Sequence, residues 1–150
     1  MTRVLLVCMG NICRSPTAAA ALRAELAAAG VTRVEVDSAG TISHHAGEAA
    51  DRRSIRHARL RGLDLSAHRA RVVVPDDFAR FDHVWCMDDD NLDALHARCP
   101  AEHRAKIALF LGDAFVPDPY FGGPDGFDEV LDLCVEGARR AIAREGWAAR

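Results

Sequence analysis

A chain of 150 residues with 49% hydrophobic content and a formal net charge of -3 can bury one globular core and carries too little charge to remain unfolded. Its slight acidity excludes the broad basic footprint of a general nucleic-acid binder, and no apolar run reaches the length that spans a bilayer. Five cysteines, an odd number without a Cys-x-x-Cys pair, argue against a disulfide framework or a zinc ribbon. With no apolar signal region after Met1-Thr2-Arg3, a reducing, cytoplasmic location is expected.

In chain order, residues 3–8 read as a short strand buried on both faces, and 16–29 as a helix closed by Gly30. Residues 33–38 alternate as a second strand, followed by a loop over 39–50. A helix over 51–61 ends at Gly62, 63–74 is ambiguous, and 75–79 reads as a short helical turn. Residues 83–87 form a third strand. Asp88-Asp89-Asp90 then opens the next helix, where acids suit the positive helix end. A fourth strand over 106–111, a long loop over 112–126 and a final helix over 127–144 complete the chain. Strands alternating with helices predict an α/β fold in one domain over residues 1–150. Its architecture is a three-layer sandwich with a central four-stranded parallel sheet and helices on both faces. Ligands in such sheets bind beyond the carboxyl ends of the strands, so the loops after the first, second and fourth strands share one rim.

The first of those loops, Val7-Cys8-Met9-Gly10-Asn11-Ile12-Cys13-Arg14-Ser15-Pro16, leaves a strand and enters an alanine-rich helix. Such a loop aims backbone N–H groups and the positive helix end at one point, which suits an anion. Cys8 is a thiol at the start of this cradle, and an electropositive nest favours thiolate. Arg14, at its end, can hold two phosphate oxygens at once. Gly10 permits close approach and a left-handed backbone, Asn11 tolerates that region, Ser15 can bond the thiolate or cap the helix, and Pro16 suits a first helical position. The Cys-x5-Arg spacing alone is weak, since Cys134 and Arg140 share it. Cys134, however, sits in a helical pattern, where backbone N–H groups are already engaged.

The loop, together with Asp37-Ser38-Ala39-Gly40, Cys86-Met87-Asp88, Asn91-Leu92 and Asp118-Pro119-Tyr120, resembles the low-molecular-weight protein tyrosine phosphatases over essentially the whole chain. The resemblance implies hydrolysis of phosphotyrosine through a phosphocysteine on Cys8, with Arg14 and residues Met9, Gly10, Asn11, Ile12, Cys13 and Ser15 holding the phosphate. It implies Asp118 as general acid and then base, a role worth about 10²–10⁴-fold in rate. By spacing alone Asp118 reads equally as part of an ordinary turn. Tyr120 and Phe121 are expected to flank the pocket mouth. His44 stands where the family often has an aromatic wall residue, so its imidazole is a departure, and His44 with His45 also reads as a pair of solvated loop histidines. Ser38 and His68 resemble positions that brace the loop asparagine, Asn11; His68 also fits an exposed histidine flanking a helix.

The resemblance further implies that Cys13 can pair with Cys8 under peroxide; a small buried residue in a tight loop is the other reading. It implies no metal and no cofactor, and a tyrosine-phosphorylated protein as partner. Composition gives the expectation of no nucleic acid and no membrane insertion; it leaves the oligomeric state open, a monomer being expected. Three alternatives stand beside it. Phosphoarginine hydrolysis belongs to relatives of this fold that carry Thr where this loop has Ile12. Thiol-linked arsenate reduction needs two further cysteines close together, and Cys86 and Cys99 do not form a tight pair in sequence. A catalytically dead phosphate-binding module would be expected to lack Cys8, Arg14 or Asp118, and all three are present.

Overall fold

A computed structural model of the chain describes residues 1–120 and 122–149. Four parallel strands, β1 (Thr2–Cys8), β2 (Val34–Gly40), β3 (His83–Cys86) and β4 (Ile107–Leu109), form one sheet in the order β2-β1-β3-β4. The apolar run of β1 is explained by its central place. Val4, Leu6 and Cys8 face helices α1 (Arg14–Ala28) and α5 (Pro124–Glu145), in a core with Leu22, Leu26, Val130, Cys134 and Ala138. Leu5 and Val7 face the other way, against Phe78 of α3 (Pro75–Arg80) and Leu95 of α4 (Asp89–Arg98). A parallel sheet with both faces covered needs this continuous apolar strand rather than an alternating one. Each side chain from Val4 to Val7 is fully buried, and each such burial contributes about 1.5–3 kcal/mol before entropy is counted. The α/β sandwich expected from the sequence is therefore the observed fold.

Helix α2 (Arg52–Arg59) lies outside this sandwich against α5. Its N-cap is Asp51, whose carboxylate accepts from the Arg53 N–H, the usual way to satisfy a first-turn donor. His57 pairs with Asp128 and Arg61 with Asp132 of α5.

Several boundaries differ from the sequence reading. Strand β2 continues to Gly40 because its ladder with β1 runs on through Cys8 and Gly40. Strand β4 is only three residues long: the 3-10 turn over 101–106 delays its start to Ile107, and the chain turns at Phe110 and Leu111. Helix α5 begins at Pro124, where a missing N–H costs nothing. Helix α1 begins at Arg14, so Pro16 is its third residue rather than its first. The ambiguous stretch before α3 touches the sheet at one bridge, Gly40 to Val72. No described helix is long and apolar enough to cross a membrane.

From β1 the chain moves to one side for β2, then crosses to the other for β3 and β4. The strand order therefore reverses at the carboxyl end of β1, where open α/β sheets hold their ligands. Cys8 is the last residue of that strand.

Candidate active site

A cavity of about 400 Å³ opens there. Cys8, Met9, Gly10, Ile12, Cys13 and Arg14 supply its floor and one wall from the loop between β1 and α1. Ile42, His44 and His45, from the segment after β2, and Asp118 and Tyr120, from the loop after β4, supply the rest. Three loops far apart in sequence thus meet because their parallel strands all end on the same edge of one sheet. Helix α1 starts at Arg14, so its positive end and its first-turn N–H groups, which a helix cannot satisfy internally, lie at this cavity.

Cys8 is a buried residue, 3% exposed. Its sulfur is 3.0 Å from Ser15 Oγ and accepts from the Asn11 backbone N–H at 3.2 Å. Ser15 therefore serves the sulfur and does not cap the helix, whose N-cap residue, Cys13, makes no side-chain cap bond. The other cysteines sit in different surroundings. Burial raises the thiols of Cys13 and Cys86 to about 12, and burial also pushes Cys99 and Cys134 up.

Asn11 organises the loop from beneath. It is fully buried and, among the described residues, it is the non-glycine residue with a left-handed backbone, φ 58°. Its Nδ2 donates to Ser15 Oγ at 2.8 Å and to Ser38 Oγ at 3.0 Å, and its Oδ1 accepts from the Arg71 N–H at 3.0 Å. The Asn11 carbonyl lies 2.7 Å from His68 Nε2. Burial holds His68 below its usual 6.5, so the neutral ring with its proton on Nε2 is the form that suits this bond. Ser38 and His68 thus both contact Asn11, one at its side chain and one at its carbonyl. Gly10 does not take up a left-handed backbone; a Cβ there would meet His45 Cδ2 at 3.0 Å. It is small so that the His45 ring can lie against the loop.

Arg14 is 4% exposed and already committed to protein partners. Its Nη1 donates to Asp88 Oδ2 at 2.5 Å and to the Val116 carbonyl at 3.1 Å, and its Nη2 is 3.7 Å from Asp118 Oδ2. Burial alone would loosen its proton, but Cys8, Asp88 and Asp118 outweigh burial and hold it more tightly than usual. Asp118 is half-exposed at the rim, and its Oδ1 accepts from the Tyr120 N–H at 3.0 Å.

The sequence reading missed four contributors. Asp88 fits its helix-opening role, accepting from the Asn91 N–H, yet its other oxygen orients Arg14. Arg71 ties Asn11 to a fully buried carboxylate, Asp77, through two guanidinium contacts of 3.0 and 3.2 Å. Gly40 lets β2 press on the loop, since a Cβ there would fall 2.6 Å from the Met9 carbonyl oxygen. His45 is not a freely solvated ring: it packs on Gly10, meets His44 edge-on at 4.7 Å, and lies 3.3 Å from both oxygens of Glu48. Phe121 lies outside the described residues.

The sequence profile of the family described as "Low molecular weight phosphotyrosine protein phosphatase" matches residues 3–145. The chain belongs to that family. It is 44% identical over 150 residues to the low molecular weight protein-tyrosine-phosphatase of Streptomyces coelicolor, covering 93% of this chain and 90% of the relative. The protein tyrosine phosphatase of Entamoeba histolytica, solved with Hepes in its active site, superposes with a TM-score of 0.91 at 36% identity, covering 97% of this chain and 99% of that one. The Drosophila arginine phosphatase superposes with a TM-score of 0.88 at 32% identity, covering 97% and 98%. Proteins named for tyrosine phosphatase and for arginine phosphatase activity thus share this fold, and the substrate must be argued from the cavity.

Proposed function

We propose that this chain is a protein-tyrosine-phosphatase that hydrolyses phosphotyrosine through a phosphocysteine intermediate. The observation that carries the reading is the setting of Cys8. It is a buried residue lining the cavity, while Met9, Ile42 and Tyr120 line the same cavity as partly exposed apolar side chains. The ring of an aryl phosphate is apolar enough to suit those walls, whereas a phosphoserine side chain offers them almost no apolar surface. Ile12 supports the same choice, since an alkyl side chain suits a phenyl ring.

In this reading the Cys8 thiolate attacks phosphorus, forming a P–S bond as the ester P–O bond breaks. Arg14 and the donors at the α1 terminus hold the remaining phosphoryl oxygens, the kind of preorganised charge complement that dominates many enzyme rate enhancements. Asp118, on the cavity wall within 3.7 Å of Arg14, gives its proton to the departing phenolic oxygen. It then takes one from the water that attacks the phosphocysteine, releasing inorganic phosphate and restoring the thiolate. Ser15 and Asn11 hold the sulfur on line through the contacts described above. Met9, Gly10, Ile12 and Cys13 shape the phosphate cup, His44 and Tyr120 the mouth. The partner is a tyrosine-phosphorylated protein, acted on by a cytoplasmic monomer.

The deciding experiment offers phosphotyrosine, phosphoserine, phosphoarginine and arsenate to the purified protein under identical conditions. Turnover of phosphotyrosine far above the other three is expected. Preferred release of phosphate from phosphoarginine, or thiol-coupled reduction of arsenate, would replace this assignment.

A further inference from the structure

Arg53, the second residue of α2, lies over the ring of Tyr120, which lines the cavity, and the reaction outlined above gives it no part. Its backbone sits just after the α2 cap, Asp51, whose own N–H donates to the Ile12 carbonyl of the phosphate loop at 2.9 Å. The Arg53 guanidinium grips that same Asp51 with two contacts, Nε to Oδ1 at 3.1 Å and Nη2 to Oδ2 at 2.9 Å. From this fixed position it lies over two rings, with its Cζ 4.7 Å from the centroid of Phe127 and 5.4 Å from that of Tyr120. Phe127 is buried against Ile12 and Cys13 of the phosphate loop. Tyr120 belongs to the other loop, and its N–H is held by Asp118. A guanidinium within about 6 Å of an aromatic face is attracted to it. Arg53 therefore links the two halves of the site, the cup that holds phosphate and the loop that carries the acid.

We propose that Arg53 is a positioning residue for leaving-group protonation: by holding Tyr120 it keeps Asp118 over the departing oxygen. The inference rests on the assignment of Asp118 as general acid. A merely structural Arg53 would lower all rates together. In the step that cleaves the ester, which kcat/KM reports, a positioning Arg53 matters only where the leaving group needs a proton.

The test measures kcat/KM, which ends at ester cleavage and excludes hydrolysis of the phosphocysteine, across aryl phosphates whose phenols span low to high pKa, for the wild type, Arg53→Ala and Arg53→Lys. Thermal melting of each variant checks the fold, which the α2 cap should preserve because it uses the Arg53 backbone N–H. The wild type should show little dependence on the phenol. In Arg53→Ala the dependence should steepen, with phosphotyrosine losing about tenfold, a fraction of the 10²–10⁴ a general acid supplies, and a nitrophenyl ester losing less than about twofold. Arg53→Lys retains a cation for the ring and should recover part of the loss. A parallel fall for every ester, or unchanged rates throughout, overturns the proposal while leaving the phosphatase assignment intact. A wild type inactive on all of them overturns that assignment instead.

Discussion

Replacing Asn11 by alanine is the sharpest test of how this site is built. The side chain makes three hydrogen bonds inside a fully buried environment, to Ser15, Ser38 and the Arg71 N–H. At about 1 kcal/mol net for each bond, their loss costs about 3 kcal/mol. Alanine also tolerates the left-handed backbone at φ 58° less well than asparagine, which adds roughly 1 kcal/mol. The expected loss is therefore about 4 kcal/mol, a large share of the 5–15 kcal/mol that holds an ordinary domain together. For a chain of this length that is a fall in melting temperature of roughly 8–16 °C. Equilibrium urea unfolding of Asn11→Ala, with the slope compared against wild type to verify two-state behaviour, measures it directly. A loss below about 1 kcal/mol would refute the claim that this asparagine bears the loop. Asn11→Gly, which meets no left-handed penalty but loses the same bonds, should fall between the two.

Cys8→Ser should abolish turnover while leaving oxyanion binding measurable by calorimetry with inorganic phosphate; steady-state hydrolysis near the wild-type rate would remove Cys8 as nucleophile. Asp118→Ala should slow phosphotyrosine by about 10²-fold or more and a nitrophenyl ester far less, and equal losses on both would count against its role as acid. Because burial holds His68 below 6.5, the unfolded chain takes up its proton first as pH falls. Its contribution to stability is complete above about pH 6.5 and shrinks below that; His68→Gln should flatten this part of a stability–pH curve, and an unchanged curve would show that other groups cause it. Mild peroxide should give a reversible Cys8–Cys13 bridge, formed slowly because the buried Cys13 thiol is raised to about 12; peptide mapping that finds only over-oxidised Cys8 would end that idea.

What could be read in advance followed from short-range physics. The apolar run of β1, the alanine-rich start of α1 and the turn residues between them marked a strand, a helix and an anion cradle in consecutive positions. What could not be read lay in long-range pairing. Asp88 has a sufficient local reason to open α4, so nothing in its neighbourhood signals that its second oxygen holds Arg14, 74 positions earlier. Arg71 and Asp77 look like two surface charges, yet Asp77 is fully buried and the pair underpins Asn11. Between Gly10 and Asn11, either could have taken the left-handed backbone; contact with His45, a residue of another loop, decided that glycine was wanted for its size. The 3-10 turn over 101–106 has no periodic pattern long enough to announce it.

Arg14 stands fixed by Asp88 and the Val116 carbonyl before any ligand arrives. A cation docked in advance offers the same welcome to every tetrahedral oxyanion of similar size, whether phosphate, vanadate, arsenate or sulfate. The floor of this cavity is thus blind to the identity of its guest. Recognition of one phosphoprotein over another must be written in the softer residues at the brim, such as His44 and Tyr120. Small inorganic inhibitors should consequently tell such enzymes apart poorly, and molecules that climb the wall should do so well.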